Sequence, residues 1–94
     1  MTQIKVKLTH EDCVLVERLF YEYNASKDII CFLMQQESVN KKYLQQYINI
    51  AEKRFAELEM NKNAVDKHYR PEGIGVANYE FDFENEELIY TIED

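Results

Sequence analysis

Two long stretches of the chain repeat mostly apolar residues at alternating intervals of three and four, and this spacing limits the fold more than any other feature. The first repeat consists of Cys13, Val16, Phe20, Tyr23, Lys27, Ile30 and Met34. The second consists of Leu44, Ile48, Ala51, Phe55, Leu58, Lys62, Val65 and Tyr69. Such spacing places one side chain from each turn on a single face of an α-helix. The sequence therefore predicts two amphipathic helices, over residues 10–36 and 40–69.

Residues at the ends of these stretches support the predicted bounds. Thr9 is a natural N-cap for the first helix, and either Ser38 or Asn40 suits the second. Pro71 ends the second helix, because a residue that precedes proline is pushed out of the α region. The weakest part of the first helix is the stretch 23–26, where the sequence alone allows a kink or a break.

A turn near residues 37–39 would fold the two helices into an antiparallel hairpin. In that hairpin, residues face each other when their numbers sum to about 78. Lys27 then faces Ala51, and Lys62 faces Val16. Each lysine meets a small or slender partner, so its stem packs in the seam while its ammonium group reaches water.

Both ends of the chain alternate with the period of two that is typical of β-strands. Residues 3–8 place apolar side chains on one side and polar ones on the other, and residues 79–84 alternate aromatic with acidic residues. The turn 85–87 and the strand 88–92 follow. The predicted inner face of the sheet consists of Ile4, Val6, Leu8, Tyr79, Phe81, Phe83, Leu88, Tyr90 and Ile92.

The predicted fold is a single α+β domain over residues 1–94. An N-terminal strand (3–8) is followed by a long antiparallel helical hairpin and a C-terminal β-hairpin (78–93), which complete a small three-stranded sheet. We expect Lys5 and Lys7 to lie near Glu80 and Asp82 on the outer face, where opposite charges stabilise neighbouring strands.

Charge is concentrated at the C-terminal end. Residues 71–94 contain eight acidic residues and no Lys or Arg, whereas the first 70 residues contain eleven basic and ten acidic residues. The formal net charge of −7 disfavours binding to nucleic acid, because the protein repels phosphate. An acidic surface has a second use, since it can occupy the nucleic-acid channel of another protein.

Catalytic and cofactor motifs are missing from the sequence. Gly73 and Gly75 are the two glycines, too few for a phosphate-binding loop. Cys13 and Cys31 would lie about 27 Å apart on one helix, which excludes a disulfide between them. Without a CxxC pair, a zinc or iron–sulfur site is disfavoured. We therefore expect no enzymatic activity, no catalytic residues and no cofactor.

One arrangement of histidines leaves a metal site open as an alternative. The helical pairing places His10 opposite His68, with Asp12, Cys13 and Asp66 nearby, and such groups bind transition metals. The competing interpretation places both histidines in solvent at helix ends, where the dipole at the end of the second helix favours a protonated His68.

The N-terminus lacks the features of a signal peptide, and the longest apolar run, residues 29–34, is too short for a membrane span. The sequence therefore predicts a cytoplasmic protein.

The sequence also indicates two candidate docking surfaces. The first is apolar and lies near the helix tip, where core packing is the competing interpretation. The second is the acidic β-hairpin. Their candidate residues are Ile29, Phe32, Leu33, Tyr43 and Tyr47 at the tip, and Tyr79, Glu80, Asp82 and Glu84 in the hairpin.

The segment Tyr79-Glu80-Phe81-Asp82-Phe83-Glu84, with the strand that follows it, resembles the ending of a family of small accessory proteins. These proteins are encoded beside radical-SAM maturases in bacterial peptide-modification clusters, including the group named for CXXX-repeat peptide modification systems. The resemblance extends in order over about residues 11–92. It includes an early acidic helix, a tip stretch similar to residues 23–30 and a second helix with a tyrosine-rich start.

The resemblance implies a non-catalytic accessory or adaptor protein that binds a radical-SAM maturase, its ribosomally made precursor peptide, or both. The iron–sulfur cluster and the chemistry would belong to the enzyme. The alternative function is that of a phage-type acidic inhibitor, which blocks a nucleic-acid-binding defence protein by charge mimicry. A third interpretation is a self-assembling protein, such as a homodimer, that associates through the helix tip.

Overall fold

A computed structural model describes residues 2–38 and 40–93 of the chain. The elements in chain order are β1 (Thr2–Lys7), α1 (His10–Met34), α2 (Lys41–Tyr69), β2 (Val76–Asp82) and β3 (Glu87–Ile92). This order confirms the predicted α+β fold. The helix bounds differ from the predicted ones by at most two residues, since α1 ends at Met34 rather than at residue 36, and β2 begins three residues before the predicted alternation 79–84. The predicted turn includes Val39, which lies outside the described residues.

Side-chain caps fix where the helices begin. The Thr9 hydroxyl accepts a hydrogen bond of 3.2 Å from the Asp12 amide. The Asn40 side chain accepts bonds of 3.0 and 3.3 Å from the amides of Lys42 and Tyr43, so Asn40 is the cap of α2. These bonds satisfy backbone donors that have no partner inside the helix. At the other end of α2, Arg70 has an extended backbone, as expected of a residue before proline.

The stretch expected to be weakest in α1 is continuous helix. Ser26 lies within it, and only 1% of its surface is exposed. Its hydroxyl donates to the Glu22 carbonyl at 3.0 Å and accepts from the Arg54 guanidinium at 2.6 Å. Arg54 also donates to the Glu22 carbonyl at 3.1 Å. These bonds join the two helices at the point where sequence alone allowed a kink.

The helices pair in the predicted alignment. The rings of Tyr23 and Phe55, whose positions face each other in the expected hairpin, lie 5.2 Å apart. At the open end of the hairpin, the Tyr69 hydroxyl donates to the Asp12 carboxylate at 2.7 Å. The heptad spacing of the two stripes therefore determines which residues meet.

The sheet is antiparallel, with strand order β1-β3-β2. Because β3 is central, Lys5 and Glu80 both pair with Ile89 and lie on either side of it. The expected direct pairing of Lys5 and Lys7 with Glu80 and Asp82 across neighbouring strands is therefore wrong, although all four share the outer face and Lys5 is close enough to act electrostatically on Asp82. Lys7 faces Glu87 instead, and its ammonium group donates to a turn carbonyl at 2.6 Å.

The hydrophobic core occupies one end of an elongated molecule, whose extents are 53 × 29 × 20 Å. Its buried cluster consists of Leu8, Cys13, Val16, Leu19, Leu58, Val65, Leu88 and Tyr90. We call this sheet-covered end of the helical hairpin, residues 10–22 and 56–69, the base. The distal half comprises residues 23–38 and 40–55. Within these described residues of the distal half, only Ser26 and Ala51 are buried.

Candidate functional site

The three strands cross the helical hairpin one after another, from the base toward the distal half. β1 leads through Thr9 directly into α1. The Tyr90 hydroxyl of β3 donates to the Asp66 carbonyl at 3.1 Å, and the Tyr79 hydroxyl of β2 donates to the Asn63 side chain at 3.2 Å. Three helical residues span about 4.5 Å, close to the spacing of about 4.8 Å between neighbouring strands. β2 is therefore the edge strand that faces the distal half.

β2 also spans the width of the hairpin. At its middle, Tyr79 contacts α2 through Asn63, whereas just beyond its end the ring of Phe83 lies 5.9 Å from the Phe20 ring of α1. The front face of the hairpin is the face that this sheet covers. The sheet ends at β2, and the front face of the helices continues beyond it.

A shallow apolar groove follows the front face beyond the sheet. Tyr23 and Lys27 of α1 continue the heptad stripe that contains Phe20, and residues of α2 form the opposite wall. We call this surface the distal groove; its lining consists of Tyr23, Lys27, Ile30, Ile48, Ala51, Glu52 and Phe55. The Lys27 ammonium group lies 5.3 Å from the Tyr23 ring, so the seam lysine contacts an aromatic face here.

A second cavity, of about 210 Å³, lies under β2 and opens beside the edge strand. Both helices contribute to it, and most of its wall is aromatic or aliphatic. We call it the edge pocket; its lining consists of Val16, Phe20, Leu58, Lys62, Tyr79, Glu80, Phe81 and Phe83. Phe20 lines this pocket and is still 42% exposed, as Phe55 is 46% exposed in the distal groove.

Acidic side chains border the same edge strand. Glu17 and Tyr21 of α1 line an open groove together with Glu80, Asp82 and Glu84. The side chain and the amide of Asn85 donate to Asp82 at 2.8 and 3.1 Å. These bonds lower the pKa of Asp82 and hold its charge at the turn between β2 and β3. The edge strand thus combines an aromatic inner side with an anionic outer side.

The predicted tip residues are in the distal half, and none belongs to the buried core. Phe32 and Tyr43 are 62% and 57% exposed, and Ile29 is 38% exposed. Leu33 and Tyr47 are half-buried. None of these five side chains lines the distal groove. These five side chains lie outside the groove in the distal half, and we call them together the tip surface.

The predicted hairpin residues divide between two environments. Tyr79 is half-buried, and its ring packs 6.1 Å from the Tyr90 ring. Burial raises its pKa, and the nearby Asp66 carboxylate adds to this effect. Glu80 and Glu84 are exposed on the acidic side of β2. The hairpin and tip candidates therefore lie at different places and form two surfaces.

The heptad pattern assigned Tyr23 and Phe55 to the helical seam and did not indicate that both rings line the distal groove. A length comparison would have indicated it. Three strands cover about 14 Å at the usual spacing, whereas α2, with 29 residues, extends for about 43 Å. So short a sheet leaves most of the front face uncovered.

The two histidines do not form the alternative metal site. His10 forms a hydrogen bond of 2.5 Å with Glu86, and the His68 ring packs against Tyr69 with centroids 4.9 Å apart. Over residues 2–38 and 40–93, no three His, Cys, Asp or Glu side chains are grouped as a metal site requires. Cys13 is buried and Cys31 is exposed. Burial raises the pKa of the Cys13 thiol, and the Glu86 carboxylate raises it further.

Neither α1 nor α2, over the residues described, is both long and apolar enough to cross a membrane. No protein family, curated protein or solved structure matches this chain.

Proposed function

We propose that this chain is a non-catalytic accessory or adaptor protein of the cytoplasm that binds a radical-SAM maturase, its ribosomally made precursor peptide, or both. The observation that carries the proposal is the uncovered distal half of the helical hairpin. Large apolar side chains are exposed there on a rigid two-helix support, including Phe32 at 62% and Tyr43 at 57%. Several large apolar side chains exposed in one region of a protein are typical of protein interfaces.

The two candidate surfaces suit the two partners of an adaptor. The tip surface offers apolar side chains on helices, which bind a folded enzyme by burial of apolar area. The β2 edge offers strand backbone flanked by pockets, which suits an extended peptide. Because these surfaces do not overlap, one protein can hold a peptide while it is docked on the enzyme.

The charge pattern of the sheet favours the adaptor over a nucleic-acid mimic. A mimic needs a continuous anionic surface, yet Lys5 and Lys7 share the outer sheet face with Glu80 and Asp82. Lys7 also faces Glu87 across the strand pair. The acidic groove near Glu17 is the remaining surface that a charge mimic would use.

The test is capture from the native host with a tagged chain, followed by mass spectrometry. We expect a radical-SAM enzyme to be captured and to stay bound at a salt concentration of about 0.5 M, because apolar contacts are not screened. Phe32→Asp should abolish this capture. Met60→Asp is the matched control, since Met60 is equally exposed on α2 and lies outside the tip surface.

Charge mimicry predicts the opposite result. The captured protein would then bind nucleic acid and be released as salt screens the attraction. Glu80→Lys would abolish its capture, whereas Phe32→Asp would leave it unchanged. That combination would refute the adaptor proposal.

A further inference from the structure

We propose that the β2 edge binds an extended peptide segment as a fourth strand, and that this segment alternates apolar with basic residues. The proposal rests on the adaptor function and specifies the peptide that such an adaptor holds. It depends on the position of the edge strand, on the exposed rings beyond it and on the charges beside it.

The position of a fourth strand follows from the three that are present. Each strand is displaced toward the distal half by about the length of three helical residues. Leu58 and Phe20 line the pocket under β2, and Phe55 is the next residue of the α2 stripe beyond Leu58, so the next position lies beside Phe20 and over Phe55, which are 42% and 46% exposed. A strand there would cover both rings and close the edge pocket.

Burial within the sheet shows the effect of the missing neighbour. Leu88 and Tyr90, on the inner side of the central strand, are each 0% exposed. Tyr79 and Phe81 pair directly with them on the same side of β2, yet both remain half-buried. The difference is that β3 has a strand on each side, whereas β2 has one on a single side.

The inner side of the added strand would contact apolar surface. Its side chains would meet the Phe20, Tyr23 and Phe55 rings and the aliphatic walls of the edge pocket. Every second residue of the peptide should therefore be aliphatic or aromatic, because alternate strand residues point to the same face.

The outer side of the added strand would contact acidic groups. Glu80 and Asp82 point outward from β2, and Glu84 and Glu17 line the adjoining groove. Opposite charges on neighbouring strands stabilise a sheet, so Lys or Arg is favoured at the outward positions of the peptide. Apolar residues on one side and basic residues on the other define the proposed pattern.

A second folded copy of this chain does not fit the same place. Its β1 strand has the required alternation, with Ile4 and Val6 between Lys5 and Lys7. The inner side of β1 is already occupied, however, because Val6 packs against its own core. Docked on the β2 edge, the helices of the second copy would collide with the distal half. The occupant is therefore an extended segment with both faces free.

The test measures peptide binding to the isolated full chain by fluorescence anisotropy, at about 0.15 M salt. The probe is a labelled eight-residue peptide of alternating valine and lysine with blocked ends. One control peptide has the same composition in a block of valines followed by a block of lysines. A second replaces every lysine by glutamate. We expect the alternating peptide to bind at least about tenfold more tightly than either control.

Matched variants locate the binding surface. Phe55→Ala should weaken binding about tenfold, whereas Met60→Ala, at an exposed apolar position of the same helix outside the groove, should not. Glu80→Lys should weaken binding, whereas Glu57→Lys, at an exposed acidic position on α2, should not. Thermal unfolding checks that each variant is folded. Bound peptide should also slow hydrogen exchange at β2 amides, because a paired edge is protected.

Equal binding of the alternating and block peptides would reduce the interaction to non-specific charge attraction and overturn the proposal. Absence of binding would overturn it too. If Phe32-dependent capture of a maturase persists in either case, the adaptor function stands and only the fourth strand fails. If the alternating peptide binds at β2 but no maturase is captured, the strand site stands and the maturase partner fails.

Discussion

The base and the distal half of the helical hairpin have the same sequence pattern and different burial. In α2, one heptad stripe includes both Leu58 in the base and Leu44 in the distal half. Leu58 is 3% exposed, whereas Leu44 is half-buried. The sheet makes the difference, since it covers Leu58 and ends before it reaches Leu44. A heptad stripe therefore identifies an apolar helix face, but it does not identify which element packs against that face.

Two helices alone leave the flanks of their apolar stripes in water, because a seam is narrower than the apolar face of a typical amphipathic helix. In the base, the sheet provides a second layer, and the core forms between the layers. In the distal half, the described residues present the helices without that layer. A partner that binds there would cover the apolar helix faces of the distal half, as the sheet covers those of the base.

The largest expected contrast comes from the same truncation at both positions of the stripe. Leu58→Ala should lower the free energy of unfolding by about 2–5 kcal/mol, because it removes buried methyl groups and leaves a cavity. Leu44→Ala should cost less than about 1 kcal/mol, because the site is open to water and alanine is a better helix former. Urea unfolding followed by circular dichroism measures both values.

Equal losses for these two leucine variants would mean that the distal half is as tightly packed as the base. The contrast would then be false, and the distal groove would be an unsuitable docking surface. A negligible loss for Leu58→Ala would instead show that burial in the base contributes little to the free energy of unfolding.

The second expected difference is in the free energy of unfolding at alkaline pH, and it involves a residue packed against the base of the helical hairpin. Burial raises the pKa of Tyr90 strongly, and its hydrogen bond to Asp66 adds to this effect. The unfolded chain therefore loses the tyrosine proton first, near pH 10, while the folded chain retains it. This stabilisation is fully present below about pH 10 and is lost as the pH rises toward the folded pKa.

Tyr90→Phe should flatten that pH dependence. Above about pH 10, the free energy of unfolding of the unmodified chain should fall more steeply than that of the variant, by up to about 1.4 kcal/mol per pH unit. At neutral pH the variant should lose about 1 kcal/mol with its buried hydrogen bond. Tyr21→Phe is the control, because Tyr21 is 65% exposed on α1. Parallel curves of unfolding free energy against pH for Tyr90→Phe and the unmodified chain would contradict the raised pKa of Tyr90.

The fold was predictable because its signals are local and periodic. The cap at Thr9, the proline at Pro71 and the alternation around Phe81 depend on neighbouring residues alone. The strand order was not predicted, because the alternation in β1 fits pairing with either strand of the hairpin equally well. Ser26 was also misjudged. Its low helix propensity is outweighed by a hydrogen bond from Arg54, a residue 28 positions away.

The candidate site was predictable in part, for a related reason. Exposure of Phe32 at the tip was predictable, because Phe32 is an apolar residue that lies outside the seam pattern. Exposure of Phe55 did not, because Phe55 belongs to the seam pattern and is uncovered only where the sheet ends. Such a surface depends on the length of one element relative to another, and a heptad pattern does not record that length.

The smallest expected effect is at the tip surface. Phe32→Ser should change the free energy of unfolding by less than about 0.5 kcal/mol, because the ring is 62% exposed and the two residues have similar helix propensities. Urea unfolding checks the value against Met60→Ser, an equally exposed position on α2. A loss above about 1 kcal/mol at Phe32 alone would show that its ring packs within the chain. An apolar ring that contributes little to the folded chain's stability is available to stabilise a complex, so near-neutrality here would strengthen the distinction between a base that folds the protein and a distal half that binds.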